Sequence, residues 1–194
     1  MKKLARSFYL NEDVVDVARD LLGKVLVTCL QGTMTAGVIC ETEAYNGIID
    51  RASHAFGGRR TARNEMMYAQ GGAAYVYLCY GIHHLFNVVT NKSDIPHAVL
   101  VRAIHPIDGV AIIRKRRGVN GDRITGGPGT LSQGLGIRTS HNGCDLLDDT
   151  IYIEDRSITI PGKSIITGPR IGVESAGADA QLPYRHRFDP RLLA

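Results

Sequence analysis

From residue 24 to residue 104 the chain offers one strand-like run after another, each closed by residues that turn the backbone, and that order favours an antiparallel sheet. Residues 24–30 alternate and carry β-branched side chains, Gln31-Gly32 supplies a turn, and 33–45 continue as the second arm of a hairpin. Residues 73–80 and 82–90 read as two more strands meeting at Gly81, and 98–104 as another that ends at Pro106. Further strands are expected over 150–153 and 164–168. The 22 glycines fit a strand-rich chain with many tight turns.

Helices fill the gaps. Asn11-Glu12-Asp13 is a helix start, and Val14, Val17, Ala18 and Leu21 recur at helical spacing until Gly23. A short helix follows Gly109 and ends in Arg114-Lys115-Arg116-Arg117, and another covers 130–135. With 194 residues the chain can bury a core without staples. The expected fold is mixed α/β of the α+β kind: a single domain over 1–194, with a curved, mainly antiparallel sheet flanked by helices.

Two basic stretches stand apart from this pattern. Residues 46–72 lose their periodicity and carry Arg59, Arg60 and Arg63, and a connection this long inside a compact domain usually serves a site. The run 114–117 has two readings, a solvated helix end where cations suit the dipole, or a phosphate contact. A net charge of +4 suits a polyanionic partner without demanding one.

Cys29, Cys40, Cys79 and Cys144 form no C-x-x-C pair and read as buried free thiols rather than a disulfide framework or a zinc site. That reading places the chain in a reducing interior, the cytoplasm or, in a eukaryote, the nucleus. The N-terminus has acidic residues where a signal peptide needs an apolar run, so no membrane association is expected.

The chemistry concentrates in two strands. Alternation puts Glu41, Glu43 and Tyr45 on one face, with carboxylates ~7 Å apart beside an aromatic, a pair able to divide into a general base and a structural anion. A solvated acidic edge is the plain alternative. Tyr75 and Tyr77 project together from the later strand, while Tyr80 sits at the turn next to Gly81. Tyr45, His54, Tyr77 and Asn87 would give flat and hydrogen-bonding walls suited to a nucleobase, and a tyrosine at a turn tip can replace an extruded base. Packing of these tyrosines on the sheet is the alternative.

Other classes stay open at this point. His54, His83, His84 and His97 with Glu43 and Asp50 could build a metal-dependent hydrolase, although their spacing fits no compact ligand motif and His83 and His84 should point to opposite faces of a strand. A nucleic-acid binder without catalysis would use the same basic loop and aromatics. Lys92 is the one lysine near enough in sequence for Schiff-base chemistry.

Glu41-Thr42-Glu43-Ala44-Tyr45, then His54, Gly57-Gly58-Arg59, Thr61-Ala62-Arg63-Asn64, and Tyr75-Val76-Tyr77-Leu78-Cys79-Tyr80-Gly81 with Asn87, closely resemble the alkyladenine (3-methyladenine) DNA glycosylases. The likeness continues through 99–103 and 127–131 to 169–173. It implies a monofunctional glycosylase of base-excision repair that acts on double-stranded DNA containing damaged purines. Such an enzyme flips out 3-methyladenine, 7-methylguanine and also deaminated or etheno purines, and hydrolyses the N-glycosidic bond with no cofactor and no metal. Glu43 would activate the water, with Arg102 and a main-chain carbonyl near Ile171 holding it, and Glu41 would anchor. Tyr45, His54 and Tyr77 would line the base pocket and Asn87 would exclude normal guanine. Tyr80 would intercalate, and Arg59, Arg60 and Arg63 are candidate DNA contacts. A monomer is expected. His83-His84 departs from the bulky apolar or aromatic residues expected after the wedge tyrosine, and Arg60 from a neutral residue, either of which would alter backbone contact or lesion range.

Overall fold

The computed structural model describes residues 2–119 and 124–193. Among the described residues nine strands form one sheet: β1 (Lys2–Lys3), β2 (Val25–Leu30), β3 (Thr33–Asn46), β4 (Ala74–Cys79), β5 (His83–Thr90), β6 (His97–Asp108), β7 (Ile151–Asp155), β8 (Ile166–Gly168) and β9 (Arg185–Arg187). Their order is β1-β7-β2-β3-β6-β5-β4, with β9 on the far half of β3 and β8 beside it. All these pairings are antiparallel. The helices are α1 (Arg6–Tyr9), α2 (Val14–Asp20), α3 (Val110–Arg117) and α4 (Pro128–Leu135). The mixed α/β architecture read from the sequence is the observed one.

β3 organises the sheet. Its first half pairs with β2, its second half, Glu41 to Glu43, pairs with β9, and β6 runs along its other edge. The handover coincides with register shifts around Glu41, and bulges of this kind bend a strand and re-aim its side chains. β6 is longer than the sequence suggested: it continues through Pro106 to Asp108, with Pro106 opposite Gly37 at a further shift. A proline survives there because the irregular register spares a ladder bond.

Period-2 alternation divides β4, β5 and β6 between two faces. Ala74, Val76, Phe86, Val88, Val99 and Val101 join the main core with α2, α4 and the β2–β3 hairpin. Tyr75, Val89 and Ala98 face the other way and pack with Ala55, Met67 and Tyr68 in a smaller cluster. That second cluster holds down the 47–72 connection, which is built of three 3-10 turns. One sheet face therefore carries the helices, and the other carries the loop.

The helix ends follow the chemistry of their residues. Asp13 caps α2 by accepting the amides of Val15 and Asp16 at 2.8 and 3.1 Å, a contribution of about 1 kcal/mol. α4 begins two residues earlier than the sequence pattern indicated, because Pro128 pre-sets the first helical φ and needs no amide partner there. Of the four cysteines only Cys40 is buried. Cys29 is exposed and Cys79 and Cys144 are half-buried, since strand-like surroundings do not decide which face a residue occupies. No described helix is long and apolar enough to cross a membrane.

Gly71 marks where the loop re-enters the sheet. Its amide donates to Asn91 O at 2.8 Å, its carbonyl accepts from Arg6 Nη1 at 2.9 Å, and a Cβ there would lie 2.4 Å from the Tyr9 carbonyl oxygen. That wall is main chain and cannot rotate away. Gly71→Ala is expected to destabilise by roughly 3 kcal/mol, at the upper end for overpacking. Gly162→Ala, into open space, is expected to stay near zero, and chemical denaturation of both variants checks the contrast.

Candidate active site

Glu43 lies in the far half of β3 with no solvent exposure. Its carboxylate is held from three directions. Oε1 accepts the Ile171 amide at 2.8 Å, and Oε2 accepts the Tyr45 hydroxyl at 3.0 Å and Arg102 Nη1 at 3.2 Å. A carboxylate offers about four acceptor positions, so three donors leave room for one more. Burial raises the Glu43 pKa above its ordinary value, while the Arg102 charge, the Ile171 amide and the Tyr45 hydroxyl pull it back.

Glu41 occupies the same face, as alternation required, but in different company. It accepts Arg102 Nε at 3.0 Å and Arg185 Nη1 at 3.2 Å. Arg102 therefore bridges the two glutamates, and Arg185 supplies a second cation, so the cluster is charge-balanced. The solvated acidic edge does not describe these residues, since β6 and β9 flank this part of β3.

Beside Glu43 is a cleft lined by Tyr45, His54, Tyr75, Tyr77 and Asn87, with Met67 and two alanines. The His54 and Tyr77 rings meet edge-on at 4.8 Å between centroids, Tyr75 and Tyr77 lie 5.3 Å apart, and His54 Nδ1 pairs with the Tyr75 hydroxyl at 2.9 Å. Burial lowers the His54 pKa, with Arg63 and Arg59 adding to the effect, which favours a neutral ring. Burial also keeps the Tyr45 hydroxyl protonated, so it remains a donor to Glu43. Asn87 spends its amide hydrogens on the carbonyls of Tyr75 and Leu85, at 3.0 and 3.4 Å, which leaves its oxygen uncommitted. The cleft volume is about 20 Å³, room for a single water, so a purine requires its aromatic walls to part.

Tyr80 stands outside the cleft at the tip of the β4–β5 hairpin and is 91% exposed. The turn is closed by the Ile82 amide on Cys79 O, with φ of 50° at Tyr80 and 73° at Gly81. Positive φ at both central residues is the type I′ requirement, and it aims the tyrosine away from the sheet.

Other predicted residues are arranged differently. Arg60 is tied to Glu65 and Asp94 and stacks at 4.5 Å on Tyr68, so its charge is already committed to bracing the loop. Arg63 reaches the Leu78 carbonyl at 3.3 Å and lies 5.6 Å from the Tyr77 ring, whereas Arg59 is exposed. His83 and His84 line the same groove instead of opposite faces, because the strand has only just left its turn. Among the described residues no group of three or more histidines, cysteines or carboxylates is placed to hold a metal.

Sequence reasoning missed the role of Arg170. Its side chain is fully buried, forms a two-pronged pair with Asp50, donates to Ala44 O at 2.8 Å, and stacks on the Tyr45 and Tyr184 rings at 4.9 and 5.1 Å. Asp50 in turn accepts the amides of Asn46 and Ala52. One arginine thus backs the aromatic wall, pins the loop that carries His54, and places the adjacent Ile171 amide on Glu43. The available signal was an arginine in an apolar C-terminal stretch, which needs a buried counter-ion, but Asp50 lies 120 residues away.

A family model described as methylpurine-DNA glycosylase matches residues 7–190. A Chlamydia abortus relative is 45% identical over 185 residues, covering 94% of this chain and 96% of its own length. Relatives from Chlamydia pneumoniae and Desulfitobacterium hafniense are 43% and 42% identical, over 96% and 95% of this chain and 95% and 94% of their own. All three carry the name "Putative 3-methyladenine DNA glycosylase". The class defined by these likenesses is that of the DNA glycosylases. Within it, the chain belongs to the methylpurine-DNA glycosylase family.

Arg170→Met removes one half of a buried ion pair, and such losses cost about 3–5 kcal/mol because the remaining charge is stranded. Urea unfolding is expected to register that loss. Arg170→Lys should recover little of it, since an ammonium cannot make the two-pronged contact.

Proposed function

We propose that this chain removes alkylated purines, 3-methyladenine and 7-methylguanine, from duplex DNA, and accepts deaminated or etheno purines in the same cleft. The observation that carries this reading is the direct hydrogen bond between Glu43 and Tyr45, which couples a buried carboxylate to a wall of an aromatic cleft. Glu43 is the general base. It takes a proton from a water whose oxygen bonds to C1′ of the sugar as the C1′–N bond to the purine breaks. A cationic alkylated purine carries the bonding electrons away and leaves neutral, so that leaving group needs no acid.

The carboxylate also stabilises the positive charge that develops on the sugar, an effect strengthened by its exclusion from solvent. Arg102 orients Glu43 while also pairing with Glu41, which Arg185 holds from its other side, so the guanidinium is divided between two carboxylates. Tyr45 and Tyr77 stack on the extruded base, His54 orients it as a neutral ring, and Asn87 excludes normal guanine sterically, by clashing with its exocyclic amine. Tyr80 fills the gap left in the duplex. Damaged bases cost less to unstack, which contributes to selectivity before the cleft is reached. Water as nucleophile leaves an abasic site in an unbroken strand.

Glu43→Gln should slow single-turnover base release by at least about 100-fold with duplex affinity retained. Release at the wild-type rate would remove Glu43 from the mechanism. The pH profile follows from the raised Glu43 pKa. The base works only when ionised, so activity falls as pH drops through a pKa raised above that of an ordinary glutamate. The same shift makes the folded state favour protonated Glu43, so its stabilising share is present at low pH and lost as pH rises through the folded-state pKa. Glu43→Gln should therefore hold or raise the melting temperature at neutral pH, with any gain vanishing in acid. Tyr80→Ala should impair release from duplexes far more than from single strands, and equal losses would remove the wedge role.

A further inference from the structure

A second concavity lies on the hairpin face opposite the base cleft. Register fixes the sidedness: Tyr75 pairs with Asn87 and Tyr77 with Leu85 on the cleft side, whereas Leu78 pairs with His84 on the side covered by α4. The groove there has a volume of about 810 Å³ and begins at Ile82, two residues beyond the exposed Tyr80. His83, His84, Arg116, Gln133, Arg138 and His141 line it, together with the neutral polar Gln31 and Ser140, and no carboxylate is among the described lining residues.

The hydrogen bonds around this groove orient its donors. The Thr139 amide donates to His84 Nδ1 at 3.2 Å, and the Arg138 amide donates to His141 Nδ1 at 3.0 Å. A ring nitrogen that accepts carries no proton, so each imidazole presents Nε2 as its remaining donor. Gln133 is spent on Arg117 and the Arg116 carbonyl, fixing α4 against α3 and so fixing one wall. Arg116 is anchored on Thr35 Oγ1 and Gly134 O, and Arg138 is exposed. His83 packs against Gly129 so closely that a Cβ there would lie 2.7 Å from its Nδ1, which braces the hairpin tip on α4.

We propose that this groove is a backbone-binding subsite that takes the phosphodiester chain of the duplex beside the Tyr80 wedge. Two guanidinium groups and two fixed imidazole N–H donors, with no opposing carboxylate among the described lining residues, suit phosphate oxygens and carry no base preference. The cleft on one hairpin face takes the extruded base and the groove on the other face holds the remaining duplex in place. This rests on the glycosylase reading for its position beside the wedge, but it has a separate test.

The probe is a short, lesion-free, fluorescein-labelled duplex, and the readout is anisotropy over a series of salt concentrations. Arg138→Gln is expected to weaken binding several-fold and to reduce the slope of log K against log salt by about 1. Arg138→Lys should restore most of both, and His141→Asn should weaken binding without that change in slope. Lys163→Gln removes an equal charge from an exposed turn elsewhere and serves as the control. Wild-type affinity and slope in Arg138→Gln, or an equal loss in Lys163→Gln, would overturn the proposal. So would displacement of the duplex by inorganic phosphate at constant ionic strength from wild type but not from Arg138→Gln, which would mark a discrete ion site. A protein that binds through the groove yet releases no base from lesion duplexes sinks the glycosylase reading alone. Base release with Arg138→Gln binding as wild type sinks the groove alone.

Discussion

A carboxylate with no solvent exposure survives only if the protein surrounds it with donors, and the structure around Glu43 is arranged to do that. Those donors come from three separate parts of the chain: Tyr45 on the same strand, Arg102 on β6, and the Ile171 amide after β8. None of the three is free to move independently. Arg102 is shared with Glu41, Tyr45 is stacked on Arg170, and Ile171 follows Arg170 in sequence. The buried Arg170–Asp50 pair therefore acts on the carboxylate through two of its three partners, and on His54 through the loop that Asp50 opens. A cluster assembled this way is stiff at the carboxylate even though much of it sits on irregular backbone.

The sheet supplies the frame because its two faces are unequal. The same alternation that sends Val76, Phe86 and Val88 into the main core sends Tyr75, Asn87 and Val89 toward the loop. The aromatic wall and the hydrophobic core are thus successive residues of the same strands. A one-residue slip in β4 would exchange them, which ties the register of the hairpin to the chemistry.

Much of this was legible in the chain because it depends on local periods. The hairpin of β2 and β3, the common face of Glu41, Glu43 and Tyr45, and the turn at Tyr80-Gly81 all follow from alternation and turn chemistry over a few residues. Features that depend on distant partners were not legible. Arg170 finds Asp50 across 120 positions, and Arg60, read as a candidate DNA contact in a basic loop, finds Asp94 across 34. Burial of the cysteines failed for a related reason: a strand-like run gives the alternation but not which edge or face meets solvent. Pro106 read as a stop because a proline normally ends ladder pairing, and the bulged register beside Gly37 lets β6 pass it.

The backbone of Tyr80 has a consequence beyond its aim. A bulky residue at a φ of 50° holds a conformation that L side chains disfavour by roughly 1–2 kcal/mol, and glycine or asparagine would occupy it at less strain. The hairpin tip is therefore a place where backbone strain is held in the same residue that extends an aromatic ring into solvent. Glycine there would relieve the strain only by giving up the exposed ring, so at this tip an easy backbone and a displayed aromatic are alternatives settled by one residue choice.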